Sequence, residues 1–306
     1  MKARIVLINI LLMLLVLFGI ELYCFKLTND KNMAFKAQAE RLEANNANAY
    51  VTKYRLMKDF DAPRTRHFEG SNPELKPILL FGCSFAEGAG LSDEDSPCSQ
   101  LTKLTGRTCY DRSKGATGTS FMYWQLLNYD FDEVTKDAGY IVYIYINNHL
   151  TRLYNYQINP LIDIFNIRYK FDKNGNLVEL KPAPRFIYSL FSVKRFLNRK
   201  VVEQAVQEEN DFKMFNKMMS DSAEILRKKY PNSKFIMLEY PDLSGRFLPD
   251  NEIETLKSYG ITVVRANDLI GDIDLNEPQY WLSDNIHPSM EAWNIIMPEF
   301  VKRYIK

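Results

Sequence analysis

The stretch Pro77-Ile78-Leu79-Leu80-Phe81-Gly82-Cys83-Ser84-Phe85 decides how this chain reads. An apolar run of strand length ends in Gly-x-Ser, which throws the serine onto a sharp turn with its hydroxyl exposed. Far along the chain, Asp284-Asn285-Ile286-His287-Pro288 stands just before the last helical stretch. An imidazole there can act as a general base, and a carboxylate on the same short loop can hold its tautomer. Each string alone has a plainer reading: a structural turn in the first case, a helix-capping Asp and a surface His in the second. Together, Ser84, His287 and Asp284 imply a serine hydrolase or acyltransferase.

Working outward from Pro77, apolar runs of strand length recur at Ile78-Phe81, Tyr140-Ile146, Lys234-Leu238 and Ile261-Val264. Helical stretches lie between them, at Ser96-Leu104, Ser120-Leu127, Asp211-Lys229 and Asn251-Tyr259, and a short strand is expected at Thr108 to Asp111. Near-continuously apolar strands alternating with helices predict an α/β fold, a parallel sheet covered on both faces. Ligands bind such sheets beyond the carboxyl ends of the strands. Ser84 follows one strand and Asn147-Asn148 follow another, so both fall on that edge. Lys114-Gly115-Ala116-Thr117-Gly118-Thr119 forms a glycine-bearing turn after the short strand, where a backbone N–H can approach a ligand closely.

Residues 153–205 interrupt the alternation and read as an insertion. Within it, Arg168 to Leu180 predicts a hairpin around Asn174-Gly175. Phe186 to Val201 is a basic amphipathic segment that suits either a structural cap or a lid.

At the other end, Ile5 to Phe25 is apolar apart from Asn9 and Glu21, behind Lys2 and Arg4. About 20 apolar residues span a bilayer, and the leading cations favour a cytoplasmic N-terminus. Residues 1–26 are therefore expected to be an N-terminal transmembrane helix, an uncleaved signal anchor, with the domain outside the cytoplasm, periplasmic or at the cell surface. A cleaved signal peptide is the competing reading, but Ala37-Gln38-Ala39 lies too far past the apolar run for normal processing. Residues 27–75 are polar and read as stalk and lead-in, with His67 exposed or capping.

Lys and Arg number 39 against 38 Asp and Glu, so no basic field points to nucleic acid. Four cysteines are too few for a disulfide framework. Cys98 and Cys109 are close enough in sequence to bridge in an oxidising compartment, and equally readable as two small buried residues.

Serine after the first strand, glycine after the second, asparagine after the third and Asp-x-x-His near the C-terminus resembles the SGNH (GDSL-like) hydrolases, over about 78–306 less the insertion. That resemblance implies a three-layer α/β/α sandwich, flavodoxin-like, for a domain at 76–306. It implies Ser84 as nucleophile, Asp284 and His287 as its partners, and an oxyanion hole from the N–H groups of Ser84 and Gly118 with the amide of Asn148, Asn147 being the alternative. It implies ester chemistry with no metal and no cofactor. The family's Gly-Asp-Ser reads Gly82-Cys83-Ser84 here, and its Gly-x-Asn-Asp block reads Ile146-Asn147-Asn148-His149. The expected substrate is an acyl ester of an envelope glycan, with a lipid ester as competitor and a non-catalytic glycan-binding role as the alternative of another class.

Overall fold

At the centre of the fold Ile78–Gly82 (β2) and Tyr140–Ile146 (β4) run side by side in parallel, Ile78 opposite Tyr140 and Gly82 opposite Ile144. Every residue of both strands is buried, as strands packed on both faces must be. The computed structural model describes residues 18–19, 66–129, 131, 134–154, 167–180, 209–241 and 245–306. Apart from Phe18 and Gly19, the anchor expected at 1–26 lies outside them, as do the stalk up to residue 65 and the basic segment at 186–201. Among the described residues no helix is long and apolar enough to cross a membrane.

The main sheet has the order β1-β3-β2-β4-β7-β8, with β1 at Arg66–Phe68, β3 at Cys109–Asp111, β7 at Lys234–Tyr240 and β8 at Ile261–Arg265. All neighbours are parallel except β1, which pairs antiparallel with β3. The chain steps from β2 outward to β3, then returns to place β4 on the other side of β2. The carboxyl ends of β2 and β4 therefore flank the point where strand order reverses, the crevice where such sheets hold ligands.

Alternation along the strands divides the core in two. Leu79, Phe81, Tyr143, Tyr145 and Met237 face Thr119–Asn128 (α3) and Glu209–Lys229 (α5). Leu80, Val142, Ile144 and Leu238 face Pro97–Thr105 (α2) and Met290–Tyr304 (α8), with Trp293 and Phe300 fully buried. Three shorter helices, Ser84–Glu87 (α1), Asn148–Tyr154 (α4) and Ala266–Ile270 (α7), follow β2, β4 and β8, and Asp250–Ser258 (α6) connects β7 to β8. The α/β sheet covered on both faces that the apolar pattern predicts is observed, mostly parallel, with β1 antiparallel at one edge.

Arg168–Phe171 (β5) and Leu177–Leu180 (β6) make a separate antiparallel hairpin, with Gly175 at φ +80° in its turn. It packs through Tyr169, whose ring meets Tyr123 edge-on at 5.2 Å. Cys98 of α2 and Cys109 of β3 are joined by a disulfide, and Cys83 is a buried free thiol. The polar lead-in holds a strand that the sequence did not suggest: β1, with His67 exposed upon it.

Candidate active site

The turn after β2 is built around Gly82. Its φ of +154° disfavours any side chain, and a Cβ would lie 2.5 Å from the Ala86 Cβ and 2.9 Å from the Ile144 carbonyl oxygen. The chain can thus reverse tightly between β2 and α1. Cys83 turns into the core with no exposed surface, and Ser84, the next residue, is partly exposed at the sheet edge.

The loop carrying His287 is fixed from several directions. Trp281 and Pro288 form an antiparallel bridge, the Leu282 N–H donates to the His287 carbonyl at 2.8 Å, and Asn285 takes the left-handed conformation at φ +52°. Asp284 closes the loop on itself: Oδ1 accepts from the N–H groups of Ile286 (2.8 Å) and His287 (3.0 Å). Ser289 then caps α8, accepting from the Ala292 N–H.

These two loops bring three side chains into line. Ser84 Oγ lies 2.9 Å from His287 Nε2, and His287 Nδ1 lies 2.6 Å from Asp284 Oδ2. Burial pushes the Asp284 carboxyl up, but hydrogen bonds from the His287 ring and from two backbone N–H groups, with the imidazole's charge, outweigh it and hold the carboxyl below its ordinary value. An ionised Asp284 fixes the Nδ1–H tautomer and leaves Nε2 free to accept the serine proton. Phe85 packs beside the imidazole (5.9 Å between ring centres) and against Trp281 and Tyr240, so one wall of the site is aromatic.

The structure sets the two glycines of the turn after β3 in different surroundings. Gly118 caps α3, and a Cβ there would lie 3.2 Å from the His149 ring. The glycine against the nucleophile is Gly115, where a Cβ would stand 3.8 Å from the Ser84 Cβ and 3.0 Å from Glu87 Oε2. The turn Lys114–Thr117, closed by Thr117 N–H to the Lys114 carbonyl with Ala116 at φ +63°, explains the difference: it carries Gly115 to the sheet edge and Gly118 back toward the core. Asn148 opens α4 and is exposed. Asn147 is buried, and neither amide atom has a hydrogen-bond partner among the described residues. A buried unpaired amide at a strand's carboxyl end is a feature that sequence cannot show.

His149 does not reach Ser84's partners. It is fully buried, with Nδ1 2.7 Å from the Tyr143 hydroxyl, and burial followed by the charge of Arg152 holds its pKa well below the ordinary value. Among the described residues no group of three His, Cys, Asp or Glu is placed to hold a metal ion.

No family model and no curated protein matches the chain. Solved structures do. An acetyl xylan esterase from Butyrivibrio proteoclasticus is similar at TM-score 0.44 and 11% identity over 74% of this chain, which spans 63% of that protein's length. A member of the lipolytic protein G-D-S-L family from Veillonella parvula is similar at TM-score 0.42 and 9% identity, covering 75% of this chain and 98% of that one. Phospholipase A1 from Streptomyces albidoflavus is similar at TM-score 0.38 and 10% identity, covering 74% and 98%.

Proposed function

We propose that this protein is an SGNH-type serine hydrolase acting on ester bonds, with Ser84 as nucleophile. The observation that carries the reading is the unbroken line from Ser84 Oγ through the His287 ring to Asp284 Oδ2, at 2.9 and 2.6 Å. In the first half-reaction Ser84 Oγ attacks the ester carbonyl carbon as His287 Nε2 takes the hydroxyl proton. The carbonyl oxygen becomes an oxyanion, met by the N–H groups of Ser84 and Gly115 and by an asparagine amide. Asn148, exposed at the carboxyl end of β4, can be reached by a substrate oxygen and is the donor the resemblance implies, with the buried Asn147 as the alternative. The imidazolium, paired with Asp284, returns its proton to the leaving alkoxide, and an acyl group stays on Ser84. Water or an alcohol then attacks the acyl-enzyme with His287 again as base, and Ser84 is restored.

The finer reading is a membrane-anchored, extracytoplasmic esterase or O-acyltransferase that acts on acyl, chiefly acetyl, esters of envelope glycans. Three observations support it. The apolar run Ile5 to Phe25 has the length of a membrane span. The Cys98–Cys109 disulfide suits an oxidising compartment. Glu87, whose Oε2 would stand 3.0 Å from a Cβ on Gly115, gives the nucleophile an ionic neighbour that suits a polar alcohol better than a lipid chain. The test is a comparison of O-acetylated oligosaccharides with long-chain lipid esters as substrates for the purified full chain, with and without an acceptor sugar. Release of acetate from the glycan, or its transfer to the acceptor, is expected. A preference for long acyl chains would move the assignment to a lipid esterase, and turnover of neither, with glycan binding retained, to a non-catalytic role.

A further inference from the structure

The glycine that faces Ser84 sits on a loop with an unusual support. Lys114 N–H donates to the Gly82 carbonyl (3.2 Å), and Thr117 Oγ1 donates to the Lys114 carbonyl (2.6 Å), so the Lys114–Thr117 turn is tied to the end of β2. Its far side is held by α4. Arg152 Nη1 donates to the Thr117 carbonyl, and the His149 ring fills the space that a Cβ on Gly118 would occupy. His149 is itself held by the Tyr143 hydroxyl of β4, which also bonds Thr119 Oγ1 at 2.8 Å, the first residue of α3. The loop, α4 and the Tyr143 hydroxyl of β4 thus share one buried frame.

We propose that His149 and Arg152 are positioning residues that hold the Gly115 N–H at the oxyanion, through Gly118 and Thr117 respectively. The inference rests on the hydrolase reading for its kinetic consequence, but not for its structural one. Burial disfavours the charged form of His149, and its ring is packed and hydrogen-bonded to Tyr143, so it works as a brace rather than as a proton carrier. A donor displaced by about 1 Å loses up to roughly a hundredfold in rate, and removal of one oxyanion donor loses about 10² to 10³. Loosening the brace therefore belongs in kcat rather than in ground-state binding.

The variants are Arg152→Met, which keeps the aliphatic stem, Arg152→Lys, which restores a donor, and His149→Phe, which keeps the ring and removes the bond to Tyr143. In the full chain, Arg152→Met and His149→Phe are expected to lower kcat about 10- to 100-fold for a short-chain chromogenic ester, with KM within about threefold of wild type. Arg152→Lys recovers part of the loss. The pH–rate profile keeps its shape, since neither residue carries the transferred proton. Hydrogen exchange, read independently of activity, is expected to speed up roughly tenfold at the amides of residues 115–118 while the melting temperature moves little. Folded variants with wild-type kcat and wild-type exchange overturn the proposal, as does a lower melting temperature with kcat unchanged. A displaced pH profile overturns the positioning role for His149 in favour of proton transfer. If the wild type neither turns over esters nor reacts with a phosphonate, the hydrolase reading falls alone and the exchange rates still decide the brace.

Discussion

Replacing Asp284 by Asn tests the orientation of the imidazole with little change in shape. The new side chain keeps an oxygen for the N–H groups of Ile286 and His287, so the loop from Trp281 to Pro288 should persist. Its NH₂ group, however, now faces His287 Nδ1 across the 2.6 Å contact. Two donors cannot share that contact, so the ring is driven to the tautomer with Nδ1 as acceptor. Nε2 then carries a hydrogen toward Ser84 Oγ, 2.9 Å away, and cannot take the serine proton. Losing a charge-assisted hydrogen bond removes about 1.5–3 kcal/mol, and forcing the reactive tautomer against an opposed donor adds about 1–3 kcal/mol. Loss of charge stabilisation for the imidazolium acts in the same direction. At about 1.4 kcal/mol per tenfold, kcat should fall roughly 10²- to 10⁴-fold, the upper end being the loss seen for this change in the serine-protease triad. The assay is steady-state hydrolysis of a short-chain p-nitrophenyl ester, with a thermal melt to establish folding. A folded Asp284→Asn protein with kcat within threefold of wild type would refute the reasoning.

Other consequences are equally direct. Gly115→Ala places a methyl group 3.0 Å from Glu87 Oε2 and 3.8 Å from the Ser84 Cβ; it should lower kcat about 10-fold or more with modest loss of stability, measured by kinetics beside a melt. Asn148→Ala should reduce kcat by about 10² to 10³, and Asn147→Ala by much less in a folded protein, so the reverse order would give the donor role to Asn147. Glu239 is fully buried, and burial pushes its carboxyl up to about 7 against the pull of the Leu248 N–H and Arg265. Between the ordinary carboxyl value and about 7 the folded protein holds a proton that the unfolded chain has released. Stability from this group therefore declines as pH rises through that window, by about 3 kcal/mol. Denaturant melts at pH 5 and pH 8 should show the decline in wild type and a flatter response in Glu239→Gln. Reducing the Cys98–Cys109 bridge, or replacing both cysteines by serine, should lower stability by about 2–3 kcal/mol for a loop closed across a separation of 11 residues, read by urea titration.

The central strands were legible because their patterns are strong. Seven apolar residues without a break, Tyr140 to Ile146, admit little besides a doubly covered strand, and the observed β4 has those limits. Gly82 and Ser84 were legible for a local reason: the turn needs a glycine where a Cβ would strike Ala86 and Ile144. β1 was not legible, since Arg66-His67-Phe68 is short and mostly polar and becomes a strand only by pairing with β3. The approach of Gly115 to Ser84 was hidden for another reason. It depends on the course of the Lys114–Thr117 turn through the left-handed Ala116, a fact of three-dimensional placement. The same holds for Asn147 and Asn148, adjacent and alike in sequence, one buried and the other exposed. The Cys98–Cys109 bridge stayed open because separation along the chain does not report the approach of α2 to β3.

The most direct test of an activated serine is covalent labelling of the full chain by a fluorophosphonate probe, comparing wild type with Ser84→Ala and His287→Ala. Phosphonylation needs both the nucleophile and the base that lies 2.9 Å from it. Wild type should label, Ser84→Ala should not label at all, and His287→Ala should label at least 10²-fold more slowly. A well-folded wild-type protein that fails to label, or a Ser84→Ala protein that labels as well as wild type, would contradict the assignment of Ser84 as the nucleophile.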